Sequence, residues 1–104
     1  MPLQDTLAEL LLLPEDGADA PTLATLERRL TDGYAGALAL EAERLRIERR
    51  LAEIARAGDD ARNADEVAAL SERLADAEDE LIRLRAVLRS LQDRRRNRLA
   101  KPAA

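Results

Sequence analysis

Apolar residues recur along most of the chain at alternating intervals of three and four residues. This spacing is typical of helices that pack through one apolar seam, with seam positions called a and d of a seven-residue repeat. Over residues 22–57 the seam positions are Leu23, Leu26, Leu30, Gly33, Ala37, Leu40, Arg44, Ile47, Leu51 and Ile54. Over residues 64–100 they are Val67, Leu70, Leu74, Ala77, Leu81, Leu84, Leu88, Leu91, Arg95 and Arg98. The pattern therefore predicts two long helices.

The short interval between these helices, residues 58–63, favours an antiparallel hairpin. When the seams are aligned so that Ile54 faces Val67, Leu30 faces Leu91 and the small Gly33 faces the large Leu88. Large residues opposite small ones are how a core interdigitates. Gly33 and Gly36 lie inside the first helix, where glycine costs about 1 kcal/mol relative to alanine. Either they allow a close helix approach or the helix breaks at Gly33; the unbroken heptad phase favours continuity.

The remaining segments are short. Residues 3–13 place leucines on one helical face, which predicts a short amphipathic helix. Residues 14–21 form a linker punctuated by Pro14, Gly17 and Pro21, and residues 101–104 form a tail. A chain of 104 residues is enough for one domain, so we expect a single all-α domain built on a coiled-coil hairpin.

Several apolar residues lie away from the hairpin seam, and two helices cannot bury all of them. They are either singly exposed, which is common in proteins, or covered by further helices. We favour the second interpretation: a four-helix-bundle homodimer, with the N-terminal leucines packed across the bundle or onto the partner. The predicted oligomer or partner face comprises Leu3, Leu7, Leu10, Leu11, Tyr34, Leu38, Leu45, Ile82 and Val87.

Composition removes most catalytic chemistry. The chain has no His and no Cys, so imidazole bases, thiolate nucleophiles and the common zinc ligands are missing. No spacing of residues suggests a phosphate loop or a metal site. We therefore expect no enzymatic activity, no cofactor and no metal. The N-terminus lacks the basic start of a signal peptide and no stretch is long enough to span a membrane, so we expect a cytoplasmic protein.

The end of the second helix is strongly basic. Its cluster consists of Arg94, Arg95, Arg96, Arg98 and Lys101. Such a cluster suits nucleic acid or an acidic partner, although no aromatic residue nearby offers a stacking platform. Alternatively, the bases complement the helix dipole and the first 20 residues, which carry five acids and no base.

The hairpin tip carries the most specific local motif, Gly58-Asp59-Asp60-Ala61-Arg62-Asn63-Ala64-Asp65. It resembles the tip of the coiled-coil hairpin in Gre-type bacterial transcript-cleavage factors, which enters the secondary channel of RNA polymerase and helps hold a catalytic Mg²⁺. Asp59 matches the tip Asp of that family, whereas Arg62 stands where the family has a Glu, and the family's C-terminal globular domain has no counterpart. The resemblance implies a polymerase-channel regulator without cleavage activity; the same residue types also suit any helix cap and turn.

These observations predict a non-enzymatic module that self-associates and binds a protein partner. The two alternatives are the polymerase-channel regulator, with Asp59 at the tip, and nucleic-acid binding through the arginine cluster.

Overall fold

The computed structural model describes residues 3–58 and 61–101. It contains three α-helices: α1 (Leu3–Leu11), α2 (Leu23–Ala57) and α3 (Ala64–Ala100). The described residues include no β-strand. The expectation of an all-α fold in which two long helices pack against each other is confirmed.

Local chemistry fixes both ends of α2. The Thr22 hydroxyl oxygen accepts a hydrogen bond from the Thr25 backbone N–H at 3.1 Å, which satisfies one of the unpaired donors at a helix start. At the other end Gly58 has φ of +73°, a left-handed conformation that glycine adopts without steric cost. The helix runs through Gly33 and Gly36 without interruption, as the heptad phase predicts.

The chain forms two compact units, which we describe separately. Unit 1 combines the residues up to Ala37 with those from Arg83 onward, and unit 2 is Leu38–Ile82. In unit 1, α2 and α3 bury the seam residues Leu26, Leu30, Leu84, Leu88 and Leu91, each at most 4% exposed.

Helix α1 packs in the same unit, against the two glycines of α2. A Cβ atom at Gly33 would overlap Leu88 Cδ2 and lie 3.0 Å from Leu7 Cδ1, and one at Gly36 would overlap Leu3 Cδ2. Leu7 is fully buried, and Gln4 on the same helix is also buried. The predicted close approach is confirmed at Gly33, which makes room for Leu88 of α3. Gly36 instead makes room for Leu3 of α1.

The first helix ends at Leu11, short of the predicted boundary at residue 13. The N–H groups of Leu12 and Leu13 instead donate to the carbonyls of Glu9 and Leu10, at 3.1 and 3.2 Å, which is a tighter turn. Pro14 follows directly, and a proline disfavours helical backbone geometry at the residue that precedes it. The four-leucine run therefore ends as an exposed turn, in which Leu12 is 86% exposed.

Unit 2 has a two-helix core. Ile47, Ile54 and Leu70 form its buried cluster, and Leu51, Val67 and Leu74 pack against it half-buried. All six are seam residues of the predicted hairpin. The facing seams of α2 and α3 therefore supply this cluster.

Within the described residues, no helix is both long enough and apolar enough to cross a bilayer.

Candidate interaction surfaces

The hairpin tip is described only in part. Asp59 and Asp60, including the residue that carries the resemblance to Gre-type factors, lie outside the described residues. Arg62 and Asp65 are exposed and Asn63 is half-buried. The Asn63 carbonyl accepts a hydrogen bond from the Val67 N–H at 2.9 Å, so Asn63 occupies the residue position that caps α3.

The predicted apolar face divides between the interior and the surface. The α1 leucines do not form an open surface: Leu7 is fully buried, and Leu3, Leu10 and Leu11 are half-buried in unit 1. The sequence left two arrangements open for these leucines, across the helices of the same chain or onto a partner, and they pack in the first way. Much of their apolar surface is therefore covered within the chain.

In unit 2 the off-seam residues remain open to solvent. Leu38 and Ile82 are each 66% exposed, and Leu45 is 45% exposed. Each follows an a position of the seam by one residue, which makes it a b position. In an antiparallel pair the e and b positions of both helices lie on one flank and the g positions lie on the other. We call the first the e/b flank, and these three residues are its large apolar members.

The e/b flank also contains a shallow apolar groove beside the tip. Exposed alanines form its walls, and half-buried or buried seam residues form its floor. The groove is lined by Leu51, Ile54, Ala55, Ala64, Val67 and Ala68. Unit 2 therefore carries projecting large residues and an alanine-lined hollow on the same flank.

The opposite flank of unit 2 is charged and paired. Arg50 Nε donates to Glu66 Oε1 at 2.6 Å, and Arg73 pairs with Glu43. All four residues occupy g positions. Hydrogen bonds from Arg46 and Arg73 lower the pKa of Glu43, and the hydrogen bond from Arg50 lowers the pKa of Glu66. The hydrogen bond to Glu66 likewise raises the pKa of Arg50.

The two remaining members of the predicted face lie in unit 1. Tyr34 is 47% exposed and Val87 is half-buried. Tyr34 borders an open groove in which Arg95 pairs with Glu27 at 3.3 Å.

The basic cluster is occupied largely by contacts within its own chain. Arg94 Nη1 donates to the carbonyl oxygens of Leu10 and Leu13, at 3.2 and 2.7 Å, and Nη2 donates to that of Leu11 at 2.6 Å. Its side chain is only 18% exposed. The last carbonyls of a helix have no partner within the helix, so Arg94 serves as the C-terminal cap of α1.

The other bases of the cluster also have partners. Both terminal nitrogens of Arg98 donate to the Pro21 carbonyl, at 2.8 and 2.9 Å. Lys101 pairs with Asp16 of the linker, while Arg96 pairs with its neighbour Asp93. This geometry favours the interpretation in which the basic helix end complements the N-terminal segment.

Sequence reasoning missed the specific role of Arg94. A signal was present, because α1 has neither a base in its last turn nor a glycine after it, and its final carbonyls needed a donor. Nothing in the sequence pattern indicated which arginine would supply it.

The described residues contain no group of three acidic side chains placed to hold a metal ion. Comparisons of the chain with protein-family models, curated proteins and solved structures find no match. The resemblance of the tip to Gre-type factors therefore stays a prediction from the sequence.

Proposed function

We propose that the chain is a non-enzymatic helical-hairpin module that acts in the cytoplasm, self-associates and binds a protein partner through the e/b flank of unit 2. One observation carries the proposal: Leu38 and Ile82 are each 66% exposed, although the same helices bury their seam residues. Large apolar side chains grouped on one flank typically mark an interaction surface.

The rest of unit 2 supports the choice of flank. Its g positions carry Arg50, Glu66, Arg73 and Glu43 in hydrogen-bonded pairs. The e/b flank presents leucine, isoleucine and alanine together with the acids Glu41, Glu48 and Glu78. Removing apolar surface from water is favourable by about 25 cal/mol per Å². Burial of the leucine and isoleucine side chains of the e/b flank would therefore stabilise an associated state.

The test compares two glutamate substitutions by sedimentation equilibrium and circular dichroism. Leu38→Glu should leave the helical signal intact and shift the protein from dimer to monomer in the micromolar range. Leu81→Glu should unfold the hairpin, because Leu81 is 1% exposed and a glutamate at that position would be a buried, unpaired charge. Ala39→Glu, at the exposed neighbouring position, is the matched control and should change neither property.

A wild-type protein that stays monomeric and well folded throughout the micromolar range contradicts self-association. If Leu38→Glu and Leu81→Glu behave alike, the distinction between the seam and the e/b flank is wrong.

A further inference from the structure

We infer that two copies of the chain pair through unit 2 in an antiparallel arrangement, with Leu38 and Ile82 of each copy seated in the alanine-lined groove of the other. This inference rests on the proposed self-association and adds the interface, its orientation and its register. It follows from the placement of large residues, small residues and charges on one flank.

The first argument is shape. The large residues Leu38 and Ile82 lie at one end of unit 2, and the groove alanines Ala55 and Ala64 lie at the other end, beside the tip. All four occupy e or b positions, so they face the same side. A two-fold axis across the middle of this flank brings Leu38 over Ala55 of the second copy and Ile82 over Ala64. Such an interface is isologous, because each contact occurs twice.

The register on the two helices is consistent. On α2 the midpoint between Leu38 and Ala55 falls next to Arg46. On α3 the midpoint between Ile82 and Ala64 falls at Arg73, directly before Leu74, the seam partner of Ile47. The two midpoints therefore lie within about 2 Å of the same level of the hairpin, so one two-fold axis serves both helices.

One ion pair at this flank is complementary about the same axis. Arg44, a half-buried seam residue, and Glu48 on the flank pair at 3.9 Å within each copy. Their midpoint also falls at Arg46, so the axis places Arg44 of each copy beside Glu48 of the other. Opposite charges that meet across an interface fix its register and exclude other alignments.

The parallel arrangement fails on shape. It would place the Leu38 end of one copy at the Leu38 end of the other, so large residues would oppose large ones. The grooves would then face each other across the alanines Ala55, Ala64 and Ala68 and leave a void, whereas interfaces pack as densely as protein interiors. Antiparallel pairing fills each groove with a side chain of the other copy.

Disulfide cross-linking tests the orientation, because the chain has no cysteine of its own. In the antiparallel register, residue 41 of one copy faces residue 52 of the other. The variants E41C and A52C are mixed and oxidised, and the products are identified by intact mass. We expect the mixed disulfide dimer in at least about tenfold excess over either homodimer, because a disulfide needs Cα atoms within ~7 Å and residues paired with themselves are ~16 Å apart.

Two further variants link the cross-link to the groove. Adding L38E to both cysteine variants should abolish the mixed dimer while the helical signal is retained. A55L fills the groove and should weaken dimerisation at least about tenfold, since overpacking forces side chains out of their preferred rotamers. A39L, on an exposed position away from the flank, should leave dimerisation unchanged.

The outcomes separate this inference from the proposed function. A wild-type monomer overturns both. A dimer that gives no excess of the mixed disulfide, or that tolerates A55L, overturns the antiparallel arrangement alone and leaves self-association standing.

Discussion

Units 1 and 2 share the same pair of helices and the same kind of seam, yet they differ in how their flanks are completed. In unit 1, α1 covers the side that carries Gly33 and Gly36, and Leu7 is fully buried there. In unit 2 no described helix besides α2 and α3 is present, and Leu38 and Ile82 stay exposed. The comparison shows that a heptad seam makes a hairpin, whereas the residues beside the seam decide what packs on it.

The type of residue at the flanking g positions explains why α1 packs on unit 1. In unit 1 these positions include Gly36, which admits Leu3, and Arg94, which caps α1. In unit 2 they hold Arg50 and Glu66, whose hydrogen bond occupies the flank without burying apolar surface. Gly36 leaves space for a third helix and Arg94 donates hydrogen bonds to its end, whereas the Arg50–Glu66 pair offers neither.

The largest expected effect is on the packing of α1. Leu7→Ala should reduce the free energy of unfolding of unit 1 by about 2–5 kcal/mol, because it removes a fully buried leucine and leaves a cavity. Leu12→Ala is the matched control, since Leu12 is 86% exposed and should change stability by less than about 0.5 kcal/mol. Urea denaturation followed by circular dichroism measures both. Equal effects of the two substitutions would mean that α1 does not dock through Leu7.

A smaller effect is expected at the cap. Arg94→Leu removes three hydrogen bonds to the carbonyls of Leu10, Leu11 and Leu13 and should cost about 1–3 kcal/mol. Hydrogen exchange should then accelerate in α1 and leave unit 2 unchanged. Arg96→Leu, which removes an exposed base from the same cluster, is the control and should not alter exchange in α1.

The same pair of variants separates a structural from a nucleic-acid role of the cluster. If the cluster bound nucleic acid, both substitutions would weaken binding and reduce its salt dependence. If the role is structural, Arg94→Leu accelerates hydrogen exchange in α1, whereas Arg96→Leu changes neither that exchange nor nucleic-acid binding.

The smallest effect is the loss of stability of unit 2 at acidic pH. The pKa values of Glu43 and Glu66 in the folded protein are lowered from 4.5 by hydrogen bonds from arginines. Groups with a lowered pKa stabilise the fold above the unfolded value, and this stabilisation is lost as the pH falls through the folded-state value. The urea midpoint of unit 2 should therefore decrease slightly as the pH falls below 4.5, and Glu66→Gln should reduce that decrease. An unchanged decrease in the variant would show that the Arg50–Glu66 pair contributes nothing.

Periodicity predicted the hairpin because a heptad pattern depends only on local spacing. It placed Gly33 opposite Leu88 and identified Leu38 and Ile82 as residues that two helices leave uncovered. The placement of α1 could not be chosen from the pattern, since an amphipathic segment fits any apolar flank. Its placement depends on Arg94, more than 80 residues away in sequence, which donates to the carbonyls of Leu10, Leu11 and Leu13.

The two units differ in what covers them: α1 covers the Gly36 side of unit 1 from within the chain, whereas a second copy covers the e/b flank of unit 2. Methyl NMR with a soluble paramagnetic agent tests it directly, at concentrations below and above self-association. We expect Leu7 to be protected at both concentrations, Leu12 to be accessible at both, and Leu38 and Ile82 to change from accessible to protected. Leu38 and Ile82 that stay accessible in the associated state, or a Leu7 that is accessible in the monomer, would show that the flanks are not covered in this way.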